Sequence, residues 1–414
     1  MPNTPCEITT TAAANSPGVY DSEDMKNNDH GKINVAVVEG GGTSFRVAVA
    51  ELHKNNVEIP PCILHRSSVD SSHDDPSKTL KECAAFFQAH KPTNGYHALG
   101  VATFGPVGLN SSNSQEYGCI LPGSPKQAWR NVNILQPLAT ACRGTVPLAI
   151  RVETDVNAPA LSEYHTANRL DESLTSLAYI TVGTGVGVGL VINKKCVHGR
   201  MHPEGGHVAV QPLENDTYKG YSWGTGHSPY GGKHTVEGIA SSVALTERLQ
   251  QQLEKDGDSS QELSRSVLST LPDNHEVWDH AANAIANLCV TLILTTSIER
   301  IVLGGGVLKR SGLIEKVRTQ TLQLINGYVE LPKDLSTFIT LSPHGDDAGF
   351  MGAVTLAQRA YQESQPQEDK QQTSAAKKSL SSTADFYAGV VHGIIVGALI
   401  ALGTMSVMGQ RRKS

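Results

Sequence analysis

Residues 33–46, INVAVVEGGGTSFR, constrain the fold of this chain more than any other run. The β-branched stretch Ile33, Val35, Val37 and Val38 reads as a buried strand. It ends on a carboxylate, Glu39, and passes through Gly40, Gly41 and Gly42 into Thr43. A second apolar run, Phe45 to Val49, leads back out, so the unit is strand, glycine turn, strand. Without Cβ atoms in the way, such a turn lets backbone N–H groups approach a polyanion, and Thr43 adds a hydroxyl donor. A carboxylate at the strand end suits the orientation of a metal-bound water. An ordinary hairpin uses the same kind of turn. No Gly-Lys-Ser/Thr follows, which excludes a Walker A loop. The next segment reads as strand instead of helix, which excludes a dinucleotide-binding fingerprint.

A chain of 414 residues is long enough for two domains, each with its own core. The net charge is −6 and no Lys/Arg cluster is interleaved with aromatics, so nucleic-acid binding is not expected. The seven cysteines (6, 62, 83, 119, 142, 196, 289) are odd in number and form no CxxC pair. That usage fits reduced thiols in the cytosol, not a disulfide framework.

Residues 1–31 are rich in Thr, Ala, Asn, Ser and Asp without apolar periodicity, and are expected to be a disordered tail. Glu7, Asp21, Glu23 and Asp24 all precede the first arginine, Arg46, which argues against a mitochondrial presequence, and no secretory signal is present. The folded body is expected from 32 to 361, with a small N-terminal α/β domain over 32–150 and a larger one over 151–361. The last helix of the larger domain would pack back on the small one. A polar linker, 362–385, follows. Phe386 to Met408 then runs for 23 residues without Asp, Glu, Lys or Arg. As a helix it would be about 34 Å long, enough to cross a hydrocarbon core. Arg411, Arg412 and Lys413 come directly after it. The expectation is a C-terminal single transmembrane helix, a tail anchor holding a cytosolic catalytic body on an intracellular membrane. The mitochondrial outer membrane, the peroxisome and the endoplasmic reticulum all fit. Gly389, Gly393 and Gly397 give that helix a flat face on which a second copy could pair as a homodimer.

Further along, LAIRVETDVNAPAL (148–161) places Asp155 after an apolar run and before a helical segment, with Glu153 and Asn157 beside it. Open α/β sheets present catalytic groups there, and an aspartate facing a cleft can act as a general base. It could equally cap the helix that follows. A second glycine block, SLAYITVGTGVGVGLVIN (176–193), reads as two strands around Thr181, Gly183, Thr184 and Gly185. Two glycine hairpins after buried strands are what a nucleotide clamped between two similar domains requires. In HGRMHPEGGHVAV (198–210), Glu204 and His207 could reach one polar ligand. The loop over 220–235 leads to Glu237. ERIVLGGGVLKR (299–310) and DDAGFMGA (346–353) close the series.

Taken in order, Glu39-Gly-Gly-Gly-Thr43, TFGPVG (103–108), YGCILPGSPKQAWRNVN (117–133), ETDVNAPAL, ITVGTGVGVG, HPEGGH, IERIVLGGGV (298–307) and DDAGFMGA form a family pattern. The chain resembles the ROK (repressor, open reading frame, kinase) sugar kinases over about residues 33–360. Glutamate before the first glycines, threonine before Asp155 and the 117–133 segment resemble its fructokinase branch. The resemblance implies an α/β fold of the actin-like ATPase (ribonuclease H-like) type, two domains around a central cleft that holds ATP. It implies ATP contacts at Gly41, Gly42, Thr43, Thr181, Gly183, Thr184 and Gly185, with Gly305 and Gly306 toward the nucleoside. Asp155 would deprotonate the sugar's primary hydroxyl. Gly105, Pro106, Asn157, Glu204, His207 and Glu237 would line the sugar, and Mg²⁺ would neutralise phosphate charge. The implied activity is ATP-dependent phosphorylation of a hexose, D-fructose to fructose 6-phosphate first. Glucose, mannose or an N-acetylhexosamine would be alternative substrates, and a membrane-tethered, sugar-binding pseudokinase or sensor is the reading of another class.

Two features depart from the family. Its structural zinc is held by the histidine of the Pro-Glu-x-Gly-His motif and by Cys/His residues in the following loop. Here that loop has no cysteine, which leaves His207 with His227 and His234 as weak zinc candidates, and zinc is not expected. Ser44 stands where a lysine is usual after the threonine, and Arg46 is the nearby cation that could compensate.

Overall fold

A computed structural model describes residues 31–365, apart from 55, 57, 58, 72, 73, 222–231 and 258–261. The proposed tail, most of the linker and the expected membrane segment 386–408 lie outside the described residues.

The first sheet takes β1 (Lys32–Gly40), β2 (Ser44–His53), β3 (Cys62–Asp70), β4 (Ala98–Thr103) and β5 (Ala149–Thr154), in the order β3-β2-β1-β4-β5. Between its strands lie α1 (Pro76–Ala89) and α2 (Leu135–Cys142), and α3 (Asn157–Leu170) follows β5. The second sheet takes β6 (Leu177–Val182), β7 (Val186–Ile192), β8 (Lys195–Cys196), β9 (Arg300–Gly304) and β10 (Ile339–Leu341), in the order β10-β9-β6-β7-β8. Its helices are α4 (Val236–Ala240), α5 (Ser242–Lys255), α6 (Val267–Thr270), α7 (Val277–Thr296) and α8 (Leu313–Ile325), and α9 (Ala348–Ser364) ends the body.

The two halves repeat one plan. In each, an antiparallel meander of three strands is extended by two strands parallel to its first strand. β1 is covered on both faces, which is why its apolar run is nearly continuous and not alternating. Ile33, Val35 and Val37 enter a cluster with α3 and α9, whereas Ala36 and Val38 face α1 and α2. A third cluster packs α4, α5, α7 and α8 on the second sheet.

The first sheet extends past residue 150, because β5 runs through Thr154 in parallel register with β4. The final helix α9 packs over β4, β5 and β1 and against α3, although it follows the second sheet in sequence. Among the described residues one helix, α7, is long and apolar enough to cross a membrane, and it is largely buried in the core of the second half. None of the six described cysteines is bridged.

The contact of α9 with β4 depends on Gly100. A Cβ there would meet the Ala353 carbonyl oxygen at 2.2 Å and the Ala357 nitrogen at 2.5 Å. Backbone atoms cannot give way as side chains can, so Gly100→Val is expected to destabilise the protein by about 3 kcal/mol or more. Urea unfolding followed by circular dichroism reads this; a midpoint equal to the parent's would refute the packing.

Candidate active site

The strand register assembles the site at one edge. Gly40, Thr103 and Thr154 lie side by side at the ends of β1, β4 and β5. Phe104 N then donates to the Gly40 carbonyl at 2.9 Å and Asp155 N to the Thr103 carbonyl at 2.8 Å. The first glycine turn, the Gly105–Pro106 peptide (which is cis) and Asp155 therefore emerge together. The second sheet repeats this with Thr181 of β6 beside Gly304 of β9. The turn over 183–185 and Gly305 follow.

Asp155 does not cap α3. The helix is preceded by Val156 with no side-chain cap, and the Thr154 hydroxyl accepts from Asn157 N at 3.0 Å instead. Among the described residues Asp155 makes no ion pair at contact distance. Burial, and then the charge of Glu39, push its carboxyl up to about 6, against smaller opposing effects of its own N–H and of Lys126. Glu204 is pushed up to about 7 by burial and by the charges of Asp155 and Glu237. These couplings mean that Glu39, Asp155, Glu204 and Glu237 converge from both halves on one acidic cleft.

Glu39 is paired with Arg46, its cross-strand partner on β2, and burial raises its pKa despite that pairing. Arg46 also donates to Asp347 Oδ1 at 3.0 Å and to the Asp346 carbonyl at 2.9 Å. Its guanidinium is thus committed at the start of α9, and it does not take the role expected of it in place of a lysine at 44.

The glycine turns are open. A Cβ at Gly42, Gly183 or Gly306 would meet nothing within 4 Å. Gly41 N is used within its turn, donating to the Ser44 carbonyl at 2.9 Å, and Gly183 N donates to the Gly185 carbonyl at 2.9 Å. Thr43 is exposed at the tip, as is Thr184. Gly305 has φ 93° and a Cβ there would meet the Val182 carbonyl at 2.4 Å, so the backbone demands glycine. Thr181 is half-buried on β6, where its side chain interacts with the Tyr179 hydroxyl.

Two expected sugar contacts differ from the sequence reading. Asn157 is fully buried and its side chain is spent inside the protein. Its Oδ1 accepts from Leu190 N at 3.1 Å, and its Nδ2 donates to Glu153 Oε2 at 3.3 Å. It ties α3 to β7 and is not free for a sugar. Glu237 accepts from Val186 N at 3.0 Å and from the Tyr221 hydroxyl at 2.6 Å, so it braces the second glycine turn. A Cβ at Gly185 would touch it at 2.6 Å. Glu204, by contrast, is partly exposed toward the cleft, with His207 three residues on in a short 3-10 turn. Of the zinc candidates, His227 lies outside the described residues. Among the described residues no group of three or more His, Cys, Asp or Glu is placed to hold a metal.

Sequence reasoning missed three residues. Lys126 donates from Nζ to the Gly42 carbonyl at 2.5 Å. Arg265 donates to Thr184 Oγ1 at 2.7 Å, so the turns at 40–43 and 183–185 each carry a cation from a distant loop. His202 is buried with Nδ1 3.4 Å from Glu204 Oε1, and a Cβ on Gly105 would meet its Nε2 at 2.9 Å. Lys126 and His202 lie within the 117–133 and 198–210 segments, but nothing in their spacing singles them out.

Against known proteins, residues 35–360 match the ROK family. This chain belongs to the ROK family. A fructokinase of Zymomonas mobilis is 31% identical over 323 residues, covering 77% of this chain and 95% of the relative. An N-acetylmannosamine kinase of Haemophilus influenzae is 30% identical over a shorter span, 53% of this chain and 66% of the relative. Among solved structures, a ROK glucokinase from Streptomyces griseus in complex with glucose and AMPPNP aligns with a TM-score of 0.58 at 20% identity. It covers 79% of this chain and 99% of that one, and the likeness bears on fold. The ROK fold is thus two sheets of one plan around the cleft described above.

The raised pKa of Asp155 has a stability consequence. The folded protein holds its proton up to about 6, whereas an unfolded aspartate releases it near 3.8. Stability therefore falls as pH rises through that window and stays lower above it. Asp155→Asn carries no charge to desolvate, so it is expected to be more stable than the parent by about 1–3 kcal/mol at pH 8. At pH 3 the two should be equal. Denaturant unfolding at both pH values tests this; a destabilised Asn variant at pH 8 would contradict it.

Proposed function

We propose that this ROK protein is an ATP-dependent sugar kinase and that its substrate is D-fructose, phosphorylated at the 6-hydroxyl. Phosphotransfer from ATP to a sugar follows from family membership and from the relatives named above. The choice of fructose is supported by the fructokinase relative and by the Glu39, Thr154 and 117–133 features. One observation carries the mechanism: Asp155 stands unspent by the helix beside it, at a sheet edge facing open glycine turns.

With a pKa of about 6, Asp155 is ionised at neutral pH, yet basic enough to receive a proton from a positioned hydroxyl. As it does so, the sugar oxygen forms a bond to the γ-phosphorus of ATP, the bond from that phosphorus to the bridging oxygen breaks, and ADP leaves. The open backbone at Gly42 and Gly183 has room for phosphate oxygens, and the hydroxyls of Thr43 and Thr184 are exposed to donate to them. Glu204 and His202 line the sugar side, next to Gly105. A divalent cation suits the site, because Glu39 and Asp155 repel each other there, and Glu39 would hold Mg²⁺ through water. When bound, Mg²⁺ would offset phosphate charge.

The expected outcome for the full chain is ADP release that requires both Mg-ATP and fructose. Asp155→Asn should lower kcat/KM by about a thousandfold or more. For the parent, kcat/KM should rise with pH through about 6 and then level. A coupled assay over fructose, glucose, mannose and N-acetylmannosamine tests the reading. ATP turnover faster with one of the last three would reassign the sugar, and no turnover with any would overturn kinase function. Sugar-stabilised melting in that last case would favour the sensor.

We also propose that residues 386–408 anchor the chain in a membrane, on the strength of 23 largely apolar residues without Asp, Glu, Lys or Arg. A fluorescent reporter carrying residues 362–414 is expected in the carbonate-resistant membrane pellet; recovery in the supernatant would refute the anchor.

A further inference from the structure

Lys126 reaches the cleft from a loop that the mechanism above leaves unused. That loop is fixed by an aromatic trio. Trp129, fully buried, stacks on Phe45 of β2 at 5.2 Å between centroids, and Phe104 meets both rings edge-on at 6.2 and 5.3 Å. Buried Ser124 donates its hydroxyl to the Gly105 carbonyl at 3.2 Å, and Arg130 Nε donates to the Ser124 carbonyl at 2.7 Å. From this mount the Lys126 ammonium lies 4.0 Å from the Phe104 ring centroid and donates to the Gly42 carbonyl.

A loop could be tied to a carbonyl by any neutral donor. Here the donor is a half-buried cation, and burial pushes it down to about 8 against the opposing pull of Asp155. Among the described residues Asp155 is the charge that acts on it, and Asp155 is coupled in turn to Glu39 and Glu204; the ammonium also meets the Gly42 carbonyl and the Phe104 ring. An ammonium has three donors, and Gly42 takes one. The remaining donors sit between an open glycine turn and the base, where negative charge moves during transfer. The nearby cations Arg46 and Lys309 are committed to Asp347 and Asp346.

We propose that Lys126 is a catalytic residue that binds the γ-phosphoryl group as it passes to the sugar, donating from Nζ to a non-bridging oxygen held between residues 41–43 and Asp155. The inference rests on the phosphotransfer reading above. Lys126 keeps its protons throughout, forms no bond to phosphorus and leaves the proton balance with Asp155.

The test is calorimetric titration of the full chain with Mg-AMPPNP and with Mg-ADP, for the parent, Lys126→Met and Lys126→Arg. Lys126→Met is expected to weaken Mg-AMPPNP by about 10- to 100-fold and Mg-ADP by less than about threefold. Lys126→Arg should recover most of the AMPPNP affinity. For the parent, AMPPNP affinity should fall about tenfold from about pH 7.5 to about pH 9.5, a range in which the facing carboxylates are already ionised, and the Met variant should show no such fall. Equal loss of both nucleotides would make Lys126 a brace of the turn and overturn the proposal, as would unchanged AMPPNP binding. If Lys126→Met fails to fold, the parent's pH dependence and the Arg variant decide alone. A parent that binds AMPPNP in this pH-dependent way but turns over no sugar would sink the kinase reading and spare the phosphate contact.

Discussion

The pairing of β1 with β4 in parallel, and with β2 in antiparallel, is the constraint on which the rest depends. Antiparallel pairing puts a tight turn after β1, and parallel pairing brings the ends of β4 and β5 to the same edge. A turn that can take phosphate and a carboxylate that can take a proton thereby become neighbours, though Gly42 and Asp155 are 113 positions apart in the chain. The second sheet repeats the pairing and supplies the facing turn. Helix α9 then locks the first sheet from the far end of the chain, its backbone lying directly over Gly100.

Electrostatics at this edge work against stability. Asp155, Glu204 and Glu39 all sit above their ordinary pKa values, chiefly because burial penalises their charge. A field of that sign attracts a divalent cation and keeps the Asp155 carboxyl basic enough to exchange a proton near neutral pH. The cations nearby divide into two kinds. Arg46 and Arg66 are paired with Asp347 and hold the start of α9. Lys126 and Arg265 instead meet the glycine turns through a carbonyl and a hydroxyl, and among the described residues neither has a carboxylate at contact distance.

Much of the site was legible because its signals are local. Glu39 and the glycines after it, Asp155 at a strand end and the turn over 183–185 each occupy a short segment whose strand-to-turn character is written in apolar runs and glycine. Other assignments failed where a side chain's direction mattered. Asn157 lies two residues from Asp155, yet the first turn of α3 directs it onto β7, where the Leu190 N–H and Glu153 consume it. Glu237 was read as a sugar contact, but Tyr221 and the start of β7 hold its carboxylate. Asp155 itself could have been a helix cap until Thr154 was seen in that place.

The order of motifs alone pointed to the family, the two-halved plan and Asp155 as the carboxylate at the strand end, because strand ends and glycine turns depend on near neighbours along the chain. The long apolar stretch near the C-terminus is likewise a statement about composition. Tertiary structure decided which polar groups are free and which are spent. It put Lys126 on Gly42, 84 positions away, and withdrew Arg46, Asn157 and Glu237 into bonds with the protein. Charge and hydrogen-bonding capacity are properties of a residue, but whether they remain available depends on who stands beside it after folding.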